Sequence, residues 1–320
     1  MAVYTEVDSE TLATFLTEYA IGDLVSCKGI AEGVENSNFL IHTSAGVFIL
    51  TIYEKRVRPE DLPFFLALLD HLADKGTACP RPIHGRDGQA LRHLMGKPAA
   101  IVSFLEGVSV RRPKPEHCAE VGRAMAKLHL NGASFGQRRR NDLSVEGWKT
   151  LAQACQPLAD GVRPGLAKFI LDEITFLEGR WPTRLPVGTI HADLFPDNVF
   201  FIGDRVSGLI DFYFACTDTL AYDLAIGLNA WCFELDHAFN VTKARQLLAA
   251  YREVRPLSPD ELAALPLLAR GAALRFLLTR LYDWLHQVEG ALVRPKDPLE
   301  YSAKLRFHQA VQSPAAYGLS

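Results

Sequence analysis

The chain predicts an α+β fold in two lobes, a small antiparallel-sheet lobe with one main helix followed by a larger, mostly helical lobe. Three observations predict it. Before residue 106, short apolar runs come in two pairs, each pair joined by a glycine-containing turn, as in β-hairpins. A single strongly helical stretch interrupts them at 59–75. After 107 the apolar residues recur mostly at helical spacing. With 320 residues, 48% of them hydrophobic, the chain can bury one large core or two moderate ones.

The elements follow in order. An amphipathic start is expected around 12–19, then strands over 38–42 and 47–53, joined through Thr43-Ser44-Ala45-Gly46. Pro59-Glu60-Asp61 opens a helix with Leu62, Phe65, Leu66, Leu69 and Leu72 on one face, ending near Lys75-Gly76. A second hairpin, 89–95 with 99–105, turns about Gly96-Lys97. Strand character stops at Glu106-Gly107, which sets the expected lobes at 1–106 and 107–320. Pro115-Glu116 starts a long helix through Val121, Met125 and Leu128 that Gly132 stops. Further helices are expected over 166–178, 220–235, 242–254, 259–288 with a break at Pro266, and 298–312.

Charge and cysteine usage exclude several classes. The formal net charge is −3 and Lys and Arg are scattered, so neither nucleic acid nor a membrane surface is an expected partner. Arg138-Arg139-Arg140 reads as a solvated loop. The six cysteines form no C-x-x-C pair and no zinc-spaced cluster, and read as reduced core residues. The amino terminus lacks a basic start and an apolar stretch, and Pro266, Arg270 and Arg275 interrupt the most hydrophobic run. A cytoplasmic protein is expected.

The chemistry concentrates in His191-Ala192-Asp193-Leu194-Phe195-Pro196-Asp197-Asn198 and in Ile210-Asp211-Phe212. Asp193 and Asn198 have the spacing of the protein-kinase pattern H-R-D-x-x-x-x-N, in which the Asp accepts the substrate hydroxyl's proton and the Asn holds magnesium. Between the two segments, 199–202 and 205–210 read as strands about a Gly203-Asp204 turn. That hairpin returns Asp211 to the end where Asn198 sits, so two hard oxygen ligands can share a magnesium ion that keeps phosphate oxygens and waters in its shell. Each residue alone reads equally as a turn or cap residue. The complete set points to catalysis.

These residues resemble the aminoglycoside phosphotransferase and choline kinase superfamily, small-molecule kinases with a protein-kinase-like two-lobed fold. His-Ala-Asp and Ile-Asp-Phe are the forms it uses. Within it, the blocks at 47–55, 62–65, 191–198, 222–225 and 275–281 are most similar to the bacterial homoserine kinases of this type. The resemblance implies ATP and Mg as cofactors and L-homoserine as the small-molecule substrate, phosphorylated on the route to threonine; choline, methylthioribose and aminoglycoside are the alternative acceptors. It implies Asp193 as base, Asn198 and Asp211 as metal ligands, and His191 and Asp223 as support for the catalytic loop. A nucleotide-binding scaffold without turnover is the reading from another class, argued against by the presence of Asp193, Asn198 and Asp211 together.

The nucleotide side is less regular. Gly29, Gly33 and Ser37 lie in a small-residue stretch placed where a phosphate-covering loop belongs, without a G-x-G-x-x-G or Walker pattern. Thr51 occupies the position of the strand lysine, so Lys28, Lys55 or Arg56 is expected to supply the missing cation. None of Glu60, Asp61 and Asp70 is singled out as the helix partner of such a lysine. By fold analogy the backbone of 103–106, with Ser103 and Leu105, receives adenine. Arg275 and Arg280, on one apolar helix, each read alone at least equally as helix-bridging or solvent-reaching arginines; with the block resemblance, one of them, Arg275 ahead of Arg280, is expected to clamp the substrate carboxylate.

Overall fold

The computed structural model describes residues 5–30, 36–54, 57–287 and 295–319. The chain divides into two compact units, Met1–Gly107 with Ser207–Tyr213, and Val108–Val206 with Phe214–Ser320. The first unit is discontinuous, because a seven-residue piece from the middle of the chain belongs to it.

The first unit starts with α1 (Ser9–Leu16), capped by Asp8, whose side chain accepts the Thr11 amide. Strands β1 (Leu24–Ile30), β2 (Ser37–Thr43) and β3 (Gly46–Ile52) follow, then α2 (Leu62–Asp74), β4 (Arg92–Leu94) and β5 (Lys97–Ser103). The sheet is antiparallel throughout, in the order β1-β2-β3-β5-β4. Period-two alternation sorts β3 by face. Leu50 and Ile52 join Leu12, Phe15 and Leu16 of α1 in one core, while Tyr53 faces a cavity shared with Phe65, Leu66 and Leu69 of α2.

Two corrections concern this unit. Strand β1 was not expected, because its burial lacks alternation and Val25 is 69% exposed; it is an edge strand, recognisable only through its pairing with β2. The second hairpin turns at Met95-Gly96, where both residues have positive φ of 55° and 75°, and Lys97 already pairs with Leu94.

The second unit carries β6 (Val108–Ser109), α3 (Pro115–Gly132), α4 (Val145–Val162), α5 (Leu166–Glu178), β7 (Val187–Ile190), β8 (Val199–Ile202) and the start of β9 (Arg205–Leu209). After the excursion come β10 (Cys216–Thr219), α6 (Leu220–Trp231), α7 (Val241–Val254), α8 (Pro259–Leu285) and α9 (Leu299–Ala310). β7 pairs antiparallel with β10, and β6 with β8. Helix α3 approaches α7 closely at Gly122, where any Cβ would stand 2.2 Å from the Leu247 carbonyl oxygen.

Here too the structure corrects the expectation. Helix α4 was not anticipated; its buried face is Trp148, Ala152, Cys155 and Ala159, mostly small residues, and it contains Pro157. Pro266 does not break α8, which runs 27 residues from a capping box of Ser258 and Glu261. An interior proline costs about 3 kcal/mol. Burial of Leu265, Leu268, Ala269, Ala272 and Leu274 outweighs it, at roughly 1.5–3 kcal/mol for each large side chain. By length and composition α8 is long and apolar enough to cross a membrane, contrary to expectation, yet most of its most apolar stretch is buried inside the protein. Helix α6 stops at Trp231, four residues before the expected end, and the short strands β6, β7 and β10 were not foreseen.

Candidate active site

In the second unit, the segment between β7 and β8 turns sharply at Ala192, whose φ is 64°. A non-glycine residue in this left-handed region costs about 1–2 kcal/mol, so the turn needs holding from several sides. Asp223 holds it from α6: its two carboxylate oxygens accept the amides of His191 and Ala192 at 2.9 and 2.8 Å. Arg275 holds it from α8, donating to the Ala192 carbonyl. The Trp231 indole donates to the carbonyl of Leu194, two residues on, at 2.7 Å. Three helix-borne side chains thus fix backbone groups on either side of Asp193.

Asp223 is itself braced. It is fully buried and accepts His129 Nε2 at 3.0 Å, while His129 Nδ1 meets the Tyr251 hydroxyl at 2.7 Å. Burial alone would raise the Asp223 carboxyl, but the hydrogen bond and charge of His129, with His191, outweigh it and hold the group below its ordinary value. The carboxylate therefore remains an acceptor for the loop amides. His191 is fully buried, and its Nδ1 accepts the Asp193 amide at 3.3 Å.

Asp193 and Asn198 are brought together. The Asn198 side-chain nitrogen donates to the Asp193 carbonyl at 2.9 Å and to its carboxylate at 3.2 Å. A 3-10 turn over Pro196–Asn198 makes the approach possible across four intervening residues. Both contacts use the amide nitrogen and neither uses the Asn198 side-chain oxygen, a hard donor of the kind that can hold a cation. Asp197 next to it is paired with Lys296 at 3.1 Å.

The two arginines expected at the substrate have protein partners. Arg275 is 1% exposed, lies over the rings of Phe276 and Phe214 and bonds the loop, so its guanidinium is committed to the fold. Arg280 is paired with Glu300 at 2.6 Å and lies over the Tyr301 ring. Arg139, in the arginine run read as solvated, is instead largely buried: it pairs with Asp142 at 3.1 Å, and its amide donates to the Thr217 hydroxyl.

In the first unit, Asp211 follows β9 with a φ of 63°, another strained non-glycine position. A 3-10 turn over Phe212–Phe214 comes next. Gly29 lies within β1 opposite Phe39, so it is a strand residue, and Ser37 opens β2, its hydroxyl bonding Glu54 at 2.8 Å. Gly33, Lys55 and Arg56 lie outside the described residues; Lys28 is exposed on β1. Thr51 donates to the Asn38 side chain at 2.8 Å. The Ser103 amide is spent on the Arg81 carbonyl at 2.8 Å, so it is not available to adenine. Leu105 lies past the end of β5, and among the described residues no main-chain group bonds its amide.

Sequence reasoning missed Arg275 as a loop anchor and His129 as the brace of Asp223. Each is distant in sequence from what it touches, by 83 and 94 residues. The one signal was an arginine embedded in an apolar helix, which requires a partner without naming it.

The fold and this loop together define a phosphotransferase. Residues 26–257 match the phosphotransferase enzyme family, and the chain belongs to that family. Over its whole length it is 64% identical to a homoserine kinase of Paramagnetospirillum magneticum, with all of both chains covered. It is 65% identical to a homoserine kinase of Bradyrhizobium diazoefficiens, with all of this chain and 98% of that one covered. The fold is shared at 14% identity with an amicoumacin kinase solved with AMP-PNP and Ca2+, at a TM-score of 0.68 over 95% of this chain and 92% of the other.

Proposed function

We propose that this chain transfers the γ-phosphate of ATP to the side-chain hydroxyl of L-homoserine, giving O-phospho-L-homoserine and ADP. One observation carries the choice of acceptor: full-length identity of 64% and 65% to homoserine kinases. Asp193 orients the hydroxyl and accepts its proton as the oxygen attacks the γ-phosphorus and the bond to ADP breaks. The rigidly held loop contributes mainly by alignment, since nucleophile and phosphate need to meet in one geometry.

Asn198 and Asp211 would hold Mg2+. An amide oxygen and a carboxylate are hard donors suited to it, and among the described residues no group of three or more His, Cys, Asp or Glu forms a protein-only cage. When bound, the ion spreads the charge that develops on the phosphate oxygens. Homoserine also carries a carboxylate and an ammonium group. The Arg280–Glu300 pair, in which Glu300 also meets Lys304 at 2.7 Å, brings both signs of charge together beside the Tyr301 ring, and we place the substrate's two charged groups there. Arg275, buried and bonded to the loop, is the weaker candidate for the carboxylate.

ADP release measured across L-homoserine, choline, methylthioribose and an aminoglycoside tests the reading. Homoserine is expected to be phosphorylated far better than the others, with Glu300→Gln raising its KM and leaving that of ATP unchanged. A panel in which another acceptor outpaces homoserine overturns the substrate.

A further inference from the structure

A strained Asp211 persists only if its surroundings over-determine it. Those surroundings contain no lysine from β3, because Thr51 stands where a long cation would reach. Thr51 and Tyr53 share one face of the strand by alternation. On that face stands Tyr213, two residues after Asp211. Its ring meets Tyr53 edge-on at 5.6 Å and 85°, and Phe65 of α2 edge-on at 5.7 Å and 88°. Its hydroxyl lies 3.4 Å from the Tyr53 hydroxyl, and the Thr51 side chain stands beside it. Thr51 is bonded in turn to Asn38.

A cavity of about 50 Å³ lies against segment 211–213, lined by Tyr53, Phe65, Val102, Asp211, Phe212 and Tyr213 among others. Beside that space the edge-on rings and the hydroxyl contact of Tyr213 with Tyr53 give the segment directional contacts to β3 and α2.

We propose that Tyr213, clasped by Tyr53 and Phe65, is the positioning residue for the Asp211 carboxylate, an uncharged counterpart of the lysine–glutamate pair that ties strand to helix in the kinase pattern. A lysine at 51 would enter the space that Tyr213 fills. The clasp ties β3, α2 and the segment after β9 into one arrangement, so displacement of α2 is transmitted to Asp211. The inference rests on the reading of Asp211 as a metal ligand.

Mn2+ binding to the ADP complex, followed by electron paramagnetic resonance, tests it alongside the Mg2+ dependence of turnover. Tyr213→Phe and Tyr53→Phe each delete one hydroxyl and keep the rings. Each is expected to weaken Mn2+ by about tenfold, the lower end of what partners of metal ligands contribute, with the melting temperature near wild type. The double variant should lose no more than one single variant, since the two hydroxyls act as a unit. Wild-type Mn2+ affinity in both single variants, whatever their melting temperatures, overturns the clasp, while a loss in Asp211→Asn keeps the metal reading intact. If Asp211→Asn also binds Mn2+ as wild type does, the metal reading fails and the clasp with it.

Discussion

Replacing Asp193 with asparagine exchanges one oxygen for an NH2 group and removes the ability to accept a proton. Because the loop is held by Asp223, Arg275 and Trp231 through its backbone, the exchange leaves the fold in place. Asp193→Asn should therefore lower kcat by about 10²–10⁴-fold with ADP binding and melting temperature little changed; near-normal turnover would remove Asp193 from the chemistry. Arg275 makes a contrasting case. Its buried bond to the Ala192 carbonyl predicts that Arg275→Met lowers kcat, destabilises by about 1–3 kcal/mol through an unpaired carbonyl, and leaves the homoserine KM close to wild type. Arg275→Lys should recover part of the loss. A homoserine KM that rises with kcat unchanged would return Arg275 to the carboxylate. At this scale the sequence was legible where chemistry is local: the spacing of Asp193 and Asn198 survives as a hydrogen-bonded pair. It was silent where a partner comes from another helix.

At the scale of elements, amphipathic pattern and end signals were enough for α2, α3, α5 and both central hairpins. They failed for β1, an edge strand whose exposed residues carry no alternation, and for α4, whose buried face is built mostly of small residues. They misled at Pro266, where packing overrides a local penalty. The junction of α6, α8 and α9 shows what such packing entails. His308 of α9 is buried, with Nδ1 2.8 Å from the Tyr317 hydroxyl and Nε2 3.3 Å from the Asn229 side-chain oxygen. Since that oxygen can only accept, Nε2 carries the proton and Nδ1 accepts from Tyr317. A second proton would break the latter bond. Burial, with Lys304 and Arg270, lowers His308 to about 3 from an ordinary 6.5. The folded chain thus binds fewer protons here than the unfolded one, so this stability is complete above about pH 6.5 and drains away as pH falls towards 3. His308→Gln should be less stable than wild type at neutral pH, and the gap in melting temperature should narrow on acidification through that window. A gap independent of pH would show that His308 does not titrate with unfolding.

At the scale of the whole chain, reading from the amino terminus placed everything after residue 106 in one lobe, because a sequence is scanned as consecutive blocks. The contacts group it otherwise, and 207–213 joins the first unit. The reason is side-chain fit: Gly208 admits Leu105 so closely that a Cβ would stand 2.6 Å from it, the Leu209 amide donates to the Ala78 carbonyl, and Tyr213 lies between Tyr53 and Phe65. No hydrophobic period announces a seven-residue excursion.

That excursion sets an order of events during synthesis. The first unit leaves the ribosome first and is completed late. Its sheet can close once residue 103 has emerged, but its last seven residues arrive only after a further hundred have been added. At a translation rate of about 5–20 residues per second, that interval is about 5–20 s. Through it the bed of Leu105 and Phe65 has no cover from 207–213, and the segment after β9 that carries Asp211 is the last part of the first unit to be made. On the proposed role of Asp211, a nascent chain that ends before residue 207 lacks one of the two metal ligands, however completely the rest of the first unit has folded.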